Sequence, residues 1–312
     1  MIVVNRVEDI HEALHGVCLT IGNFDGVHMG HAKLLQRTRE RAVAAGLVSV
    51  ALTFDPHPRR VLMGNAAPPA ITMLEHKLEC IGQSGVQVCV VLPFTRELAA
   101  REPEDFVGEV LVGGLCLKHL VIGYDYAFGK GRRGNFEMLS AMGQKYGFGV
   151  ERLDPVIING AVVSSTRIRD MVQAGNVWDA RPLLGRFHQV RGLVVHGQKR
   201  GRKLGFPTAN VGVRDELVPL SGVYAVWVEV DGILRPGVAN IGKNPTFGDF
   251  DLSVEAHILD FKGKIYDQPI RVHFVQRIRS EKKFSGPEEL ITRIREDIGL
   301  ARMILAAPDA RP

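Results

Sequence analysis

The sequence predicts an α/β protein with two domains, a parallel, doubly wound sheet followed by a small antiparallel β-barrel with a C-terminal helix. The chain has 312 residues, and at about 100–200 residues per domain two domains are expected. Before Gly185, short apolar runs alternate with helical patterns, which is typical of parallel sheets. After Gly185, short segments rich in branched residues predict an all-β region. We therefore expect one domain over residues 1–184 and the other over residues 185–312.

The first half supplies the strands and helices of the parallel sheet. Its predicted strands are Gly16–Ile21, Val48–Phe54, Val86–Leu92 and Leu117–Ile122. His31–Ala45 reads as a basic helix that ends at Gly46, and Pro103–Leu111 reads as another helix. Thr72 and Glu75 have the spacing of a capping box, so a helix is expected to begin there.

The second half reads as a barrel and a final helix. Its predicted strands are Leu193–Val195, Tyr224–Val230, Ile233–Ala239, Ser253–Leu259 and Ile270–Ile278. Asp231 and Gly232 predict a two-residue hairpin, because a type I′ turn needs positive φ at both positions. Ser285 and Glu288 again have capping-box spacing, which predicts the start of the last helix. Its apolar face is formed by Leu290, Ile291, Ile294 and Ile298.

Composition excludes several classes of protein. Hydrophobic residues are 46% and charged residues 23%, which excludes wholesale disorder, collagen and coiled coil. No run approaches the roughly 18 apolar residues of a membrane span, and the first ten residues do not resemble a secretion signal, so a cytoplasmic protein is expected. The net charge of +5 suits anionic partners. The four cysteines form no C-x-x-C pair, so buried reduced thiols are expected instead of a disulfide framework or a zinc site.

The turn between the first strand and the first helix reads G-N-F-D-G-V-H-M-G-H over residues 22–31. In an open α/β sheet this turn binds ligands, and the free amides of a helix N-terminus favour phosphate. His28 and His31 are three residues apart and share a face of the first helical turn. Two imidazoles aimed at one phosphate would stabilise the negative charge that builds up during transfer. Helix capping alone is the alternative, and the motif favours phosphate binding over it.

A second motif, S-S-T-R-I-R over residues 164–169, opens a helix that ends at Gly175. Its hydroxyls could be simple N-caps, but with Arg167 and Arg169 they form a clamp suited to polyphosphate. The two motifs together resemble the H-x-G-H nucleotidylyltransferase superfamily, which transfers a nucleotidyl group from a nucleoside triphosphate and releases pyrophosphate.

Two further loops are candidates for holding the acceptor. F-D-P-H-P over residues 54–58 leaves a strand in a rigid turn, and G-Y-D-Y-A-F-G over residues 123–129 offers aromatic faces beside a carboxylate. Core packing of Tyr124 and Tyr126 stays open as an alternative. G-K-G-R-R-G over residues 129–134 matches G-x-G-x-x-G but does not directly follow a strand, so we interpret it as a mobile basic loop.

The segment His196–Asn210 reads H-G-Q-K-R-G-R-K-L-G-F-P-T-A-N. Its glycines and interleaved basic residues predict a flexible, positive loop that wraps phosphates, although G-K-[ST] of a Walker A loop is absent. Thr208 and Asn210 point the same way on an extended segment, and their neutral oxygens suit Mg²⁺ carried mainly by nucleotide phosphates. The alternative is a solvated hairpin tip.

Glu255 is the candidate general base of the second domain. Alternation along Ser253–Leu259 places Glu255 and His257 on the face opposite Val254 and Ala256. A carboxylate fixed on a strand can accept the proton of a hydroxyl nucleophile. The pattern alone favours a glutamate that merely faces solvent.

Nearly the whole chain resembles the bacterial bifunctional riboflavin kinase/FAD synthetase family. The four N-terminal motifs resemble its FMN adenylyltransferase module, and G-F-P-T-A-N, G-V-Y-A-V, A-N-I-G-K-N-P-T-F and V-E-A-H resemble its riboflavin kinase module. The resemblance implies a Rossmann-like nucleotidylyltransferase domain and a riboflavin kinase barrel. It implies Mg²⁺-dependent phosphorylation of riboflavin by ATP to FMN, and then adenylylation of FMN by ATP to FAD with release of pyrophosphate. Local departures are K-I-Y-D over residues 264–267 and Asn244.

The resemblance also assigns residues by position. Catalytic roles are expected for His28 and His31 at the ATP phosphates and for Glu255 as the kinase base, and Thr208 and Asn210 are expected to bind Mg²⁺–ATP. The other expected ATP contacts of the adenylyltransferase are Gly22, Asn23, Phe24, Ser164, Ser165, Thr166 and Arg169, and its expected flavin contacts are Phe54, Pro56, His57, Asp125 and Phe128. The other expected ATP contacts of the kinase are Gly197, Gly201, Gly205, Phe206 and Pro207, and its expected flavin contacts are Arg279, Glu281 and Phe284.

Two alternatives to this function remain at the level of sequence. In one, the chain is only an FMN adenylyltransferase and the barrel is an inactive flavin-binding module. In the other, it binds nucleic acid through the basic glycine loop, although no dense array of basic and aromatic residues supports that. We expect small-molecule substrates, and neither nucleic acid nor a membrane as partner. The sequence leaves open the oligomeric state, a homo-oligomer included, and the route of FMN between the two sites.

Overall fold

The computed structural model describes residues 1–9, 16–197, 200–213, 215–242 and 252–312. Contacts within the chain divide it into two units, Met1–Ser164 and Ser165–Pro312. The predicted domain boundary between residues 184 and 185 stays a prediction, because the division by contacts lies before two helices that the prediction assigned to the first domain.

The first unit contains the predicted parallel sheet. Over the described residues its strands are β1 (Ile2–Val4), β2 (Val17–Ile21), β3 (Val48–Asp55), β4 (Val88–Pro93), β5 (Leu117–Gly123) and β6 (Gly149–Leu153). They lie in the order β1-β4-β3-β2-β5-β6, and each described pair is parallel. All five residues of β2 are buried, as expected for a strand covered on both faces. The two edge strands, β1 and β6, were not predicted.

A short antiparallel pair and the helices complete the first unit. The pair is β7 (Ile157–Ile158) and β8 (Ala161–Val162). The described helices are α1 (Met29–Ala45), α2 (Pro58–Met63), α3 (Leu74–Gln83), α4 (Arg96–Ala100), α5 (Pro103–Asp105) and α6 (Phe136–Tyr146). The α5 segment continues as a π-helix over Phe106–Gly114. The predicted stop of α1 is confirmed, because Gly46 adopts the left-handed conformation with φ of 64°.

The predicted capping box at the start of α3 is wrong. Met73, not Thr72, is the N-cap residue, and no side chain caps this helix. The Thr72 hydroxyl instead accepts a hydrogen bond from the backbone N–H of Gly26 at 3.1 Å. A distant loop therefore uses the hydroxyl that local spacing assigned to the helix.

The second unit is a closed antiparallel barrel with helices outside it. Two helices precede the barrel, α7 (Ser165–Gln173) and α8 (Val177–Leu184). Its described strands are β9 (His188–Val195), β10 (Ala209–Gly212), β11 (Gly222–Val230), β12 (Ile233–Gly242), β13 (Ser253–Ile258) and β14 (Pro269–Arg279), in the order β10-β13-β12-β11-β14-β9. The predicted flexible loop before β10 contains a short helix, α9 (Arg200–Lys203). The barrel with its final helix, α10 (Pro287–Leu305), is confirmed.

The turns of the barrel explain which local signals were reliable. Asp231 and Gly232 have φ of 51° and 74°, so the predicted hairpin between β11 and β12 is confirmed. The predicted capping partner of Ser285 is wrong. The N–H and hydroxyl of Ser285 donate to the carboxylate of Glu289, at 2.9 and 2.8 Å, instead of meeting Glu288.

The C-terminal helix packs on the outside of the barrel. Ala301 and Leu305 of α10 lie in one buried cluster with Ala225 and Val275 of the barrel strands. The indole N–H of Trp227 donates to the carbonyl of Ala310 at 2.7 Å and anchors the residues after α10. The helix therefore forms a fixed wall along one outer face of β11, β12 and β14.

Candidate active sites

The loop after β2 leaves the sheet where the strand order reverses, between β2 and β5. This switch point is the usual ligand site of such sheets. Within the loop, Phe24 and Gly26 have positive φ of 47° and 85°. Asp25 is 3% exposed and accepts hydrogen bonds from the N–H groups of Ile71 at 2.8 Å and Thr72 at 3.3 Å. The hydrogen bonds of Asp25 therefore stabilise the positive φ angles of the residues on either side of it.

The two predicted histidines lie together at the start of α1. Their rings stack with centroids 3.6 Å apart, and the Nδ1 atom of His28 accepts the N–H of His31 at 3.3 Å. Because Nδ1 accepts, the hydrogen of a neutral His28 ring lies on Nε2, which is then a donor. His28 thus caps the helix and shares a face with His31, so the two interpretations of the motif are compatible.

Phe24 supports this pair from the side. Its ring meets the His31 ring edge-on at 5.3 Å and is fully buried, so only its backbone remains for the predicted contact with ATP. Lys77 of α3 was missed by the sequence analysis. It is buried, burial lowers the pKa of its ammonium group, and the charges of Asp25 and Asp55 oppose that shift. No pattern distinguishes it from other helical lysines.

Each of the two candidate acceptor loops has two exposed residues, Asp55 and Pro56 in the first and Tyr124 and Asp125 in the second. The Phe54 ring packs edge-on against Phe94 at 5.5 Å, and His57, after the cis Asp55–Pro56 bond, accepts the N–H of Arg59 at 3.1 Å and caps α2. Asp125 is exposed, beside Tyr124.

The aromatic residues of the second loop divide between surface and core. Tyr124 is 44% exposed, whereas Tyr126 packs against the core and burial raises the pKa of its hydroxyl. Phe128 stacks on Tyr126 at 5.5 Å and leans on Phe106 at 5.9 Å. The open question of core packing is therefore answered for Tyr126, and Asp125 and Tyr124 are the exposed members of the loop.

The basic loop over residues 129–134 makes backbone and ion-pair contacts with its neighbours, and its predicted mobility stays a prediction. Phe128 and Gly134 exchange two backbone hydrogen bonds, at 3.1 and 3.0 Å, and the loop turns as a short 3-10 helix. Lys130 and Arg133 both pair with Glu102. These pairs fix the loop to the start of α5.

The S-S-T-R-I-R motif lies at the division between the units. Ser164 ends the first unit, and α7 begins at Ser165, which is followed by Thr166. Arg169 of α7 is buried, and its Nη1 atom lies 3.4 Å from the carbonyl of Ser165. The predicted end of the helix is confirmed, because Gly175 has φ of 82°.

In the second unit, Glu255 stands in the middle of a row across three strands. It is opposite Asn210 on β10 and opposite Asn240 on β12. The predicted alternation is confirmed, because Val254 and Ala256 are buried in the barrel while Glu255 lies on the outer face. The Thr208 hydroxyl donates to the Glu255 carboxylate at 3.4 Å. The carboxylate is therefore part of a polar cluster and is not simply solvent-facing.

Two glycines before β10 make room for this cluster. A Cβ atom on Gly197 would lie 2.3 Å from the amide nitrogen of Asn210, and one on Gly201 would lie 2.4 Å from the carbonyl of Phe206. The Phe206 N–H donates to the carbonyl of Gly201 at 2.8 Å and closes the turn around α9. These positions need glycine because the chain folds back tightly beside Asn210.

Two cavities meet at Thr208. The smaller, about 80 Å³, has a mixed lining, in which the polar and basic residues Arg202, Thr208, Asn210 and Lys264 lie among apolar ones such as Ile258 and Phe261, and Gly197 and Pro207 also border it. The larger, about 300 Å³, lies between the outer face of the barrel and α10, and its lining includes Thr208, Glu255, Arg279, Glu281, Phe284 and Ile294. Gly201 and Phe206, predicted to contact ATP, line the larger cavity, and Gly205 lines neither.

Asp297 is a residue of the larger cavity that the sequence analysis missed. It is 2% exposed, and its carboxylate accepts the Nε–H of Arg279 at 3.0 Å and the Nη2–H at 2.7 Å. The Nη1 atom of Arg279 donates to the carbonyl of Ser280 at 2.9 Å. Most of the N–H donors of Arg279 are therefore used within the protein. Its Cζ atom lies over the Phe284 ring, 5.7 Å from the ring centre.

Thr208 and Asn210 offer neutral oxygens to a metal ion. Over the part of the chain that the structure describes, no group of three or more His, Cys, Asp or Glu side chains could hold an ion. The Thr208 hydroxyl and the Asn210 amide beside the smaller cavity fit Mg²⁺ that is held mainly by nucleotide phosphates. Residues 198–199 of the glycine loop and 243–251, which include Asn244 and part of the A-N-I-G-K-N-P-T-F motif, lie outside the described residues. None of the described helices has the length and apolar composition to cross a membrane.

Comparison with known families finds two family models that match successive parts of the chain. The family model described as FAD synthetase matches residues 10–167, and that described as riboflavin kinase matches residues 184–305. A protein named Macrolide-efflux Protein from Streptococcus pneumoniae has a solved structure that is similar with a TM-score of 0.86 and 29% identity, over 97% of this chain and 99% of that one. That name describes that protein and assigns no activity to this one.

Curated relatives match along nearly the full length. A bifunctional riboflavin kinase/FMN adenylyltransferase of Pseudomonas fluorescens is 42% identical over 99% of both chains. Proteins of the same name from Haemophilus influenzae and Bacillus subtilis are 37% and 39% identical, over 97% and 89% of this chain and 98% and 89% of their own. The chain therefore belongs to the bifunctional riboflavin kinase/FMN adenylyltransferase family.

Proposed function

We propose that the chain catalyses two consecutive reactions, phosphorylation of riboflavin by ATP to FMN and adenylylation of FMN by ATP to FAD with release of pyrophosphate. Both family models match, and relatives of nearly full length carry both activities in their names. An adenylyltransferase with an inactive barrel is not favoured, since the riboflavin kinase model covers residues 184–305. A nucleic-acid-binding protein is not favoured either.

The observation that supports the kinase reaction best is the position of Thr208, which lines both cavities and lies 3.4 Å from Glu255. ATP binds in the smaller cavity, where Arg202 and Lys264 supply positive charge, and riboflavin in the larger one beside α10. Glu255 takes the proton of the ribityl 5′-hydroxyl, whose oxygen attacks the γ-phosphorus of ATP, and ADP leaves. Positioning and charge neutralisation supply most of the catalysis in such a transfer.

The group that the resemblance implies at this site is Mg²⁺. When it is bound with ATP it neutralises phosphate charge, and Thr208 and Asn210 are the residues that would hold it. The protein itself shapes this cavity and supplies positive charge to it. Gly197 leaves the space that the Asn210 amide occupies, and Arg202 and Lys264 bring positive charge to the same cavity.

The adenylyl transfer is assigned to the first unit and the S-S-T-R-I-R motif. His28 and His31 donate hydrogen bonds to the ATP phosphates, with Gly22, Asn23 and the backbone of Phe24 around them. For Ser164, Ser165, Thr166 and Arg169 the resemblance implies phosphate contacts, and this assignment stays a prediction. A phosphate oxygen of FMN attacks the α-phosphorus of ATP and pyrophosphate leaves, so no covalent intermediate with the protein is needed. Phe54, Pro56, His57, Asp125 and Phe128 are the proposed FMN contacts.

The test is incubation of the chain with riboflavin, ATP and Mg²⁺, with flavins resolved by chromatography over time and ADP and pyrophosphate assayed separately. We expect FMN to appear first and FAD to follow, with one ADP per FMN formed and one pyrophosphate per FAD. FMN without FAD would remove the adenylyltransferase assignment, and conversion of added FMN without any use of riboflavin would remove the kinase assignment. The cytoplasmic location and the absence of nucleic-acid partners stay predictions, and the oligomeric state stays open.

A further inference from the structure

His257 lies on β13, two residues after Glu255 and on the same outer face. Its Nδ1 atom is 2.7 Å from the carbonyl oxygen of Pro207. A carbonyl oxygen only accepts, so Nδ1 must carry the hydrogen of this bond. The Phe206 ring meets the imidazole edge-on, with centroids 5.8 Å apart and planes at 84°. The imidazole is thus held in one tautomer and in one orientation.

The backbone pairing of β10 with β13 stops just short of this point. The last paired residues are Ala209 and Ala256, and the chain before them is Pro207 and Thr208. Proline has no N–H to donate to a neighbouring strand. The His257 side chain supplies a donor to the Pro207 carbonyl where the ladder of backbone hydrogen bonds ends.

Two side chains on the same face of β13 therefore hold the Pro207–Thr208 segment. His257 holds Pro207 at 2.7 Å, and Glu255 accepts the Thr208 hydroxyl at 3.4 Å. Thr208 is the residue that both cavities share. Its distance from the carboxylate thus depends on where the Pro207–Thr208 segment is fixed along β13.

We infer that His257 is a positioning residue of the kinase site, which fixes the Pro207–Thr208 segment against the strand that carries Glu255. This inference rests on the proposed kinase function. Its role is to keep Thr208 where the nucleotide and the carboxylate meet. Its ring also lines the larger cavity, so the kinase assays are run at saturating riboflavin, which separates this contact from the effect on Thr208. Loss of the donor leaves the fold intact, because the barrel interior beside it is formed by Ala256 and Ile258.

The test compares variants that differ in the donor. H257F and H257M lack a donor but keep bulk, whereas the side-chain amide of H257N can place a donor near the position of Nδ1. S253A is the matched control, because it removes another hydrogen bond from a β13 side chain to a carbonyl, that of Gly242. Each variant is assayed for riboflavin phosphorylation, for FMN adenylylation and for binding of Mg²⁺–ADP followed by thermal shift.

We expect H257F and H257M to lower kcat/KM for Mg²⁺–ATP in the kinase reaction by about tenfold, the effect of one lost hydrogen bond, and to weaken the thermal shift by Mg²⁺–ADP. H257N should return to within about threefold of wild type. S253A should match wild type, and FMN adenylylation should be unchanged in every variant. Wild-type activity in H257F and H257M, or an H257N variant as impaired as both, overturns the inference. A wild-type chain that forms no FMN contradicts the proposed function instead.

Discussion

Glu255 illustrates what single residues contribute to the kinase site. Alternation on β13 predicted its face, but its partners come from β10 and β12, and one of them, Asn240, was not predicted to matter. The carboxylate accepts a hydrogen bond from the Thr208 hydroxyl at 3.4 Å, and it lines the cavity that we assign to riboflavin. A base in this position acts only on the reaction in its own cavity.

Replacement of Glu255 by glutamine keeps its shape and removes its basicity. We expect E255Q to slow riboflavin phosphorylation by about 10²–10⁴-fold, the usual contribution of a general base. FMN adenylylation should continue at the wild-type rate. Glu229, a barrel-strand glutamate near His273 and outside the lining of both cavities, provides the control variant E229Q. Undiminished phosphorylation in E255Q would show that the base lies elsewhere.

The four cysteines are free thiols. The sequence predicted that all four would be buried, but the structure buries only two of them. Cys18 and Cys89 are buried, whereas Cys80 and Cys116 are partly exposed. Burial raises the pKa of Cys18 and of Cys89 to about 12, so almost no reactive thiolate forms at neutral pH.

Alkylation of the native chain should therefore be selective. At pH 8, iodoacetamide should label Cys80 and Cys116 and leave Cys18 and Cys89 unmodified. In denaturant all four should react. The modified positions are identified by mass spectrometry of peptides, and equal labelling of Cys89 in the folded chain would contradict the buried environment.

Among the secondary-structure elements, local signals were reliable where only neighbouring residues decide the outcome. The hairpin at Asp231-Gly232 and the stops at Gly46 and Gly175 depend on backbone conformation alone, and all three were predicted. The capping boxes failed because a side-chain hydroxyl can choose among partners. Thr72 bonds to Gly26, 46 residues away, and such a partner is not visible in residue spacing.

The contact between Ser285 and Glu289 at the start of α10 can be tested by varying the pH. The N–H of Ser285 and the ammonium of Lys282 lower the pKa of the Glu289 carboxyl from 4.5 to about 2. A carboxyl with a lower pKa in the folded state stabilises the fold above its unfolded pKa and loses that effect as pH falls. We expect E289Q to be less stable than wild type above pH 4.5, with the difference shrinking as pH falls toward about 2.

The measurement is urea unfolding followed by tryptophan fluorescence, because Trp178 and Trp227, which are both tryptophans of the chain, belong to the second unit. Glu288 is the matched control, since sequence spacing names it as the capping partner while the structure uses Glu289. E288Q should show no such pH dependence. If the order of the two variants were reversed, the predicted capping box would be right after all.

For the whole molecule, the order of patterns along the chain was enough to predict a parallel sheet followed by a barrel. The motifs also named Thr208 and Glu255, which the structure brings to within 3.4 Å of each other. The sequence could not reveal Lys77, Asn240 or Asp297, because each matters through neighbours far along the chain: Asp25 and Asp55 for the first, Glu255 for the second and Arg279 for the third. Periodicity identifies a face, whereas a partner on another strand requires the fold.

Two reactions in one chain predict complementation between variants. H31N should convert riboflavin to FMN and stop there, whereas E255Q should convert added FMN to FAD but leave riboflavin unused. If FMN is released to solution between the sites, an equal mixture of the two variants should convert riboflavin to FAD. Chromatography of the flavins over time gives the result, and FMN that accumulates in the mixture without FAD would show that release is not the route.

Because Thr208 forms part of the walls of both cavities, we expect its replacement to change the binding of both substrates that we assign to them. Attempts to re-engineer the kinase for a different phosphate donor will therefore alter its tolerance for vitamin analogues as well. An antimetabolite that reaches this side chain from the larger cavity would, for the same reason, compete with the nucleotide as well as with the vitamin.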